Sequence, residues 1–303
     1  MSEMIEKLLR KGIYELEDYV PGRSIDEVKA EFDLDNVEKM AGNENPLGPS
    51  PGAVEAAEEA LGEAHIYPDG SASSLKVSLS HKFGLSVENF FVGNGSDDVL
   101  QNIARAFVNE GDECIIPSPT FHPYTTVTRV MGGVPITSPL RNFRIDLDNI
   151  QKQISDRTKL IFLCNPNNPT GTCIQKDTFD SFLFNLSRPV IVVLDEAYID
   201  FIEDHNVPRS DLNFEGGNGI VVGVRTFSKI YGLAGFRVGY GISCPALIRA
   251  LHKTKDPFNV AGPSLAAAAG ALKDVEFYAR TREMVYTGKR QLYSGLESHG
   301  LDY

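Results

Sequence analysis

Cysteine is scarce in this chain of 303 residues: only Cys114, Cys164, Cys173 and Cys244 occur, and no two form a Cys-x-x-Cys pair. That spacing suggests neither a zinc knuckle nor a disulfide framework, and it points to a reducing compartment. Long apolar runs are also missing. Even a run as long as any, Val190 to Leu194, falls far short of the ~20 residues of a membrane span, and Met1 to Lys11 mixes Glu and Lys with no apolar h-region. Positive charge is outnumbered, 29 Lys and Arg against 41 Asp and Glu, for a net charge of −12. Such a balance argues against broad capture of nucleic acid or an anionic membrane, while leaving room for a local cationic pocket. These absences predict a cytoplasmic protein with no nucleic-acid and no membrane partner. Neither low-complexity tracts nor solenoid-period repeats occur.

What is present is a foldable core: 42% of residues are apolar, with 27 Gly and 17 Pro. At roughly 100 to 200 residues per domain, two domains fit better than one. An acidic arm, 1–42, precedes the turn Asn43-Glu44-Asn45-Pro46-Leu47-Gly48. Ser50-Pro51 then reads as a helix start, with Val54, Ala57 and Leu61 on one face. Strands are predicted at Phe90–Gly93, Glu113–Pro117, Leu160–Cys164, Val190–Leu194 and Ile220–Val224. A helix is predicted over Ser96–Asn109, with Val99, Leu100, Ile103 and Phe107 inward. Stretches long enough for crossover helices separate the β-branched runs, so the class is α/β: a mainly parallel sheet with helices on both faces. From Pro245 the pattern turns helical, over Ala246–Lys255, Ser264–Leu272 and a long Val275–Ser298.

In open α/β sheets ligands sit beyond the carboxyl ends of the strands, and four such places carry unusual residues. Gly93-Asn94-Gly95-Ser96-Asp97-Asp98 turns tightly from strand to helix and reads as a phosphate cradle or as an ordinary capped turn. Cys164-Asn165-Pro166-Asn167-Asn168-Pro169-Thr170-Gly171 places polar amides after a buried strand, for a ligand or for Asx-type turns. Val192 to Leu194 runs straight into Asp195-Glu196-Ala197-Tyr198. A carboxylate at a buried strand end needs a compensating cation, and with too few neighbouring ligands for a metal, an organic cation or an arginine would serve. Thr226 to Tyr240 sets Lys229 among small and apolar residues, with Arg237 eight positions on. A lysine so placed reads as a nucleophilic amine toward a carbonyl, or as a solvated surface residue; the arginine can fork onto a phosphate. Together, a phosphate cradle, a carboxylate for a ring nitrogen, an activated lysine and a phosphate-directed arginine are the parts of a pyridoxal phosphate site.

These motifs resemble those of the class I and II aminotransferases, nearest the branch that acts on histidinol phosphate, over about Tyr19 to Tyr303. Asn43 to Pro51, Tyr67-Pro68-Asp69-Gly70, Asn165 to Gly171, Asp195 to Tyr198 and Thr226 to Gly241 carry the likeness. The resemblance implies an aspartate-aminotransferase-type fold with pyridoxal 5'-phosphate as cofactor. By it, Lys229 would hold the cofactor and move the substrate's proton, Asp195 would keep the ring nitrogen protonated, and Asn168 and Tyr198 would bond the phenolic oxygen. Gly95, Ser96, Asp97, Ser228 and Arg237 would hold the phosphate, and Phe121 would stack on the ring. Tyr67 would reach the neighbouring subunit's phosphate, implying a homodimer. Tyr19, Asn45 and Asn259 are the substrate-side candidates.

The implied reaction converts L-histidinol phosphate and 2-oxoglutarate into imidazole acetol phosphate and L-glutamate, in histidine biosynthesis. The implied division is an arm at 1–42, a large cofactor-binding domain at 43–270, and at 271–303 a long helix that starts a truncated small domain. Related threonine-phosphate decarboxylases and aromatic aminotransferases would share the cofactor motifs. A cofactor-binding protein without turnover is the alternative from another class. A dehydrogenase falls lower, since no Gly-x-Gly-x-x-Gly turn follows an early strand.

Overall fold

The computed structural model describes residues 3–14, 16–18, 20 and 22–302. Three short helices, α1 (Glu3–Leu8), α2 (Lys11–Tyr14) and α3 (Ile25–Phe32), form within the arm; α3 opens on a capping box between Ser24 and Glu27. Neither α2 nor α3 buries a side chain. After them come α4 (Pro51–Leu61), α5 (Ser73–Phe83), β1 (Phe90–Gly93), α6 (Ser96–Phe107), β2 (Glu113–Ser118), α7 (Pro123–Val130) and β3 (Val134–Pro139). The chain continues through α8 (Leu147–Gln153), β4 (Thr158–Cys164), α9 (Lys176–Phe184), β5 (Val190–Asp195), β6 (Glu215–Gly216), β7 (Gly219–Thr226) and β8 (Gly239–Ile242). Helices α10 (Pro245–Leu251), α11 (Gly262–Lys273) and α12 (Val275–Ser298) close it. No helix of the described residues is long and apolar enough to cross a membrane.

The strand order is β1-β8-β7-β5-β4-β2-β3, with β6 beside β7. From β3 to β7 the main path is parallel; β8 runs antiparallel to both β7 and β1. Side-chain alternation covers both faces. Ile191 and Val193 of β5 join a cluster with Ile103 of α6, Tyr124 of α7 and Leu251 of α10. Val192 and Leu194 join Ile150 of α8 and Phe182 of α9. A third cluster sets Phe90, Val92, Tyr240 and Ile242 against α5, α11 and the segment after β7, including Phe227, Ile230 and Leu233.

Strand β8 escapes sequence reading because Gly239 and Gly241 interrupt its apolar signature. The packing needs both: a Cβ on Gly239 would fall 2.4 Å from Ser96 N, and one on Gly241 3.1 Å from Val99 Cγ1. The predicted inner face of α4 shifts as well. Ala53 and Ala57 are buried, whereas Leu61 is 59% exposed. Small residues form this seam, because α4 meets α11 so closely that a Cβ on Gly270 would fall 2.3 Å from Gly52 O. Ser50 does occupy the N-cap, yet its hydroxyl donates to Asp274 Oδ2 at 2.7 Å instead of capping, joining the starts of α4 and α12. Helix α10 stops at Leu251, short of Lys255, and the Thr254 hydroxyl turns to Asn102 Oδ1 at 3.0 Å. Helix α12 spans the predicted range, capped by Asp274, and its Tyr278 hydroxyl donates to Asp200 at 2.8 Å.

Candidate active site

The site is assembled where β1, β4, β5 and β7 end. After β1, Gly95 takes φ +85°, and a Cβ there would fall 2.6 Å from Arg237 Nη2, so only glycine lets the guanidinium close over the turn. Gly95 is the N-cap and Ser96 the first residue of α6. The Gly95 N–H donates to Gly93 O at 2.9 Å. The amides of Ser96 and Asp97 meet no acceptor among the described residues and stand at the positive end of the helix. Arg237 is itself left-handed, φ +54°, and donates to Ala234 O at 3.1 Å and Asp97 Oδ2 at 3.3 Å. Asp98 serves the scaffold, accepting from Asn94 N and from Asn259 Nδ2, each at 2.9 Å.

At the end of β5 two adjacent carboxylates part ways by strand alternation. Asp195 continues the Ile191 and Val193 face, where Tyr124 donates to its Oδ2 at 2.7 Å and Ala197 N to its Oδ1 at 3.0 Å. Among the described residues no lysine or arginine forms an ion pair with it, and burial pushes its carboxyl up to about 6. Glu196 turns to the other face and binds Arg225 Nε at 2.8 Å, both side chains being buried. The compensating arginine considered for Asp195 thus belongs to Glu196.

Lys229, half-buried after β7, donates to Gly42 O at 3.0 Å and lies 5.8 Å from the Tyr198 ring centroid. Burial lowers its pKa, opposed by the nearby Glu44 carboxylate and reinforced by Arg237. The Tyr198 hydroxyl accepts from Asn43 Nδ2 at 3.1 Å, and desolvation raises its pKa. In the loop after β4, Asn165 Oδ1 accepts from Ile174 N at 2.8 Å, while Asn167 bonds Thr120 at 2.8 Å and Thr170 at 2.9 Å. Those two amides shape the loop and present Asn168 to the cavity.

One cavity of about 360 Å³ gathers Ser96, Asp97, Phe121, Asn168, Asp195, Tyr198, Ser228, Lys229 and Arg237. A neighbouring cavity of about 670 Å³ shares Glu44, Asn168, Tyr198 and Lys229 with it and extends to Asn45, Phe201, Met284 and Tyr293. Two expected residues lie elsewhere. Tyr67 is exposed and stacks on Phe258 at 4.7 Å. Asn259 is held by Val92 O at 3.1 Å, Asp98 and Lys255 Nζ at 2.9 Å, away from both cavities. Tyr19 lies outside the described residues, as does Tyr303. Sequence reasoning missed Tyr124 and gave Asn43 and Glu44 no role. The three-residue step from Phe121 to Tyr124, onto the start of α7, is the signal for the first. Among the described residues no group of three or more His, Cys, Asp or Glu side chains is arranged to hold a metal.

A lysine of lowered pKa, a dry carboxylate lacking a cation and open amides facing an arginine define a site for an anionic, nitrogen-bearing ligand. The family profile described as aminotransferase class I and II matches residues 35–303. The chain belongs to the class I and II aminotransferase family. Among its relatives, the histidinol-phosphate aminotransferase of Moorella thermoacetica is 46% identical over 97% of this chain and 76% of its own length. That of Caldicellulosiruptor saccharolyticus is 40% identical over 98% of this chain and 82% of its own. The solved histidinol-phosphate aminotransferase of Sinorhizobium meliloti, in complex with pyridoxal-5'-phosphate, superposes with a TM-score of 0.85 at 27% identity, covering 94% of this chain and 76% of that one. A Thermus thermophilus aspartate aminotransferase double mutant, 22% identical, shares the fold with a TM-score of 0.82 over 97% of this chain and 81% of its own. The fold is therefore of the aspartate aminotransferase type.

Proposed function

We propose that this chain is a pyridoxal 5'-phosphate-dependent aminotransferase that exchanges the amino group of L-histidinol phosphate with 2-oxoglutarate, giving imidazole acetol phosphate and L-glutamate. The observation that carries the reading is the convergence of Lys229, Asp195, Asn168, Tyr198 and Arg237 on one cavity. The 46% identical relative supports the substrate. The residues fit the cofactor: the Ser96 and Asp97 amides without an acceptor, together with Ser228 and Arg237 on the same cavity, suit a phosphate, and the uncompensated Asp195 suits a cationic ring nitrogen. When bound, pyridoxal phosphate supplies a ring that accepts the electron pair left when the substrate's Cα loses its proton.

The chain's own groups do the rest. Asp195 holds a proton on the ring nitrogen by charge pairing in a water-poor place. Lys229 would anchor the cofactor through Nζ and move the substrate's proton, a task that the lowering of its pKa by burial favours. Tyr198 and Asn168 donate to the phenolic oxygen, and Phe121 covers the ring. Ser96 and Asp97 amides, Ser228 and Arg237 hold the phosphate. The exposed ring of Tyr67 suits a reach into a second copy, so we read a homodimer, and the four free cysteines fit the cytoplasm. We read the stretch 1–42 as its arm, 43–270 as its cofactor domain and 271–303 as the segment that carries α12.

The test is a visible spectrum with added pyridoxal phosphate, then borohydride reduction and mass mapping, followed by a glutamate assay with histidinol phosphate. Reduction fixed on Lys229 with glutamate formation supports the reading. Label scattered over surface lysines, or carbon dioxide released from phosphothreonine, sinks it.

A further inference from the structure

The turn Asn43 to Ser50 grips the lysine segment along its length. Asn45 Nδ2 lies 3.4 Å from the Lys229 carbonyl oxygen and 3.3 Å from that of Ile230, and Ser50 N donates to Tyr231 O at 3.1 Å. Gly232, φ +68°, approaches so closely that a Cβ would fall 2.0 Å from Gly48 O. The same Asn45 amide lies 3.2 Å from Thr281 Oγ1, a fully buried hydroxyl on α12. Its Oδ1 accepts from Leu47 N at 3.0 Å. Two amide hydrogens already shared among three acceptors leave none for a substrate group.

We infer that Asn45 is a positioning residue: it fixes the backbone from which Lys229 springs and ties that backbone to α12, instead of binding substrate as its motif suggested. The inference rests on the proposed role of Lys229. A lysine carries its amine on a flexible four-carbon stem, so the amine is placed only as well as its Cα is held. On the near side Ser228 is held by Thr226, whose Oγ1 accepts from Ser228 N at 3.0 Å. On the far side Asn45 and Ser50 hold the carbonyls of residues 229–231. Through Thr281, a movement of α12 is passed directly to the lysine's base.

Two variants test this. Asn45→Leu keeps the branched shape and adds no charge while removing the donor; Thr281→Val removes only the tie to α12. In the cofactor-free protein, the rate and pH midpoint of Lys229 acetylation by acetic anhydride are mapped by mass. In the holoenzyme, kcat and KM for histidinol phosphate are measured. Asn45→Leu is expected to change Lys229 acetylation and lower kcat by about tenfold, with KM within about threefold, and Thr281→Val to move the same readouts less. A tenfold rise in KM with unchanged Lys229 acetylation would make Asn45 a substrate ligand and overturn the inference. So would no change in either readout. If Asn45→Leu does not fold, Thr281→Val decides by the same acetylation readout. Failure of wild-type Lys229 to couple to pyridoxal phosphate would instead defeat the proposed function, because acetylation is read without the cofactor.

Discussion

The Tyr124 hydroxyl donates to Asp195 Oδ2 at 2.7 Å, and the Tyr124 ring is locked by stacking on Phe162 at 4.8 Å, 13° from parallel. The pair holds a carboxylate in a dry place with one side-chain donor and one backbone donor, but without an ion-pairing lysine or arginine among the described residues. Its neighbour Glu196 has what Asp195 lacks: Arg225, Ser210 N at 2.9 Å and the Ser210 hydroxyl. An ionised group under-compensated in the empty protein is one that a cationic ligand can stabilise.

The first prediction follows from that shortfall. Asp195 has its carboxyl raised from 3.8 to about 6, so the folded chain binds this proton more tightly than the unfolded chain does. The favourable contribution is complete below about pH 4 and is lost as pH rises through about 6. At ~1.4 kcal/mol per unit, the loss is about 3 kcal/mol. Urea unfolding of cofactor-free wild type and Asp195→Asn, from pH 4 to pH 7, is expected to show the asparagine variant gaining about that much relative to wild type. A gap that stays flat with pH would mean that the carboxyl is hydrated and the dry-site account is wrong.

Lys229 gives the second. Burial lowers its pKa from 10.5, so a larger share of its amine is neutral at a given pH than for an exposed lysine. Acetic anhydride is therefore expected to modify Lys229 with a midpoint below that of a free lysine side chain in a short peptide. Glu44→Gln removes a carboxylate that opposes the shift and lowers the midpoint further. A Lys229 midpoint equal to that of the free side chain would remove the basis for an activated amine.

Much of this was legible in the sequence, for reasons particular residues make plain. The strand ends could be read because Val190 to Leu194 and Ile220 to Val224 are β-branched runs buried on both faces, and the polar residues that follow cannot be there for packing. Strand β8 could not, because Gly239 and Gly241 answer to the close approach of α6 and not to strand propensity. Among the asparagines after β4, residue type is identical while geometry differs: Asn165 and Asn167 are consumed by the loop, and Asn168 faces the cavity. For Asn45 and Asn259 the motifs suggest the substrate side, and the tertiary hydrogen bonds of their amides to Ile230 O and Val92 O are invisible in one dimension.

The third prediction concerns stability alone. Arg225 is buried between Glu196 and Asp211, with its guanidinium 4.9 Å from the Phe83 ring centroid. Glu196→Gln leaves a buried cation with one carboxylate fewer and is expected to cost about 3 kcal/mol in urea unfolding. Replacing Arg225 by Met as well should recover part of that loss, since the uncompensated charge leaves with it. Cofactor affinity should change little, because Glu196 faces away from the cavity that Asp195 lines. A double variant less stable than the sum of the two single ones would show that the network is held by packing and not by charge.

The last prediction joins backbone conformation to ligand binding. Gly95 combines a φ of +85° with a guanidinium 2.6 Å from where a Cβ would lie. Gly95→Ala therefore meets two penalties: strain in a backbone region that L residues avoid, at about 1 to 3 kcal/mol, and a clash that the flexible end of Arg237 can relieve by swinging away. Relief of that clash moves the arginine off the turn where the proposed phosphate rests. Pyridoxal phosphate affinity, titrated by absorbance, should then fall by at least about tenfold, the worth of one charge-assisted contact. Pyridoxal without the phosphate should bind wild type and variant nearly alike. Equal losses for both ligands would place the damage in the fold and not at the phosphate, and would count against Arg237 as its partner.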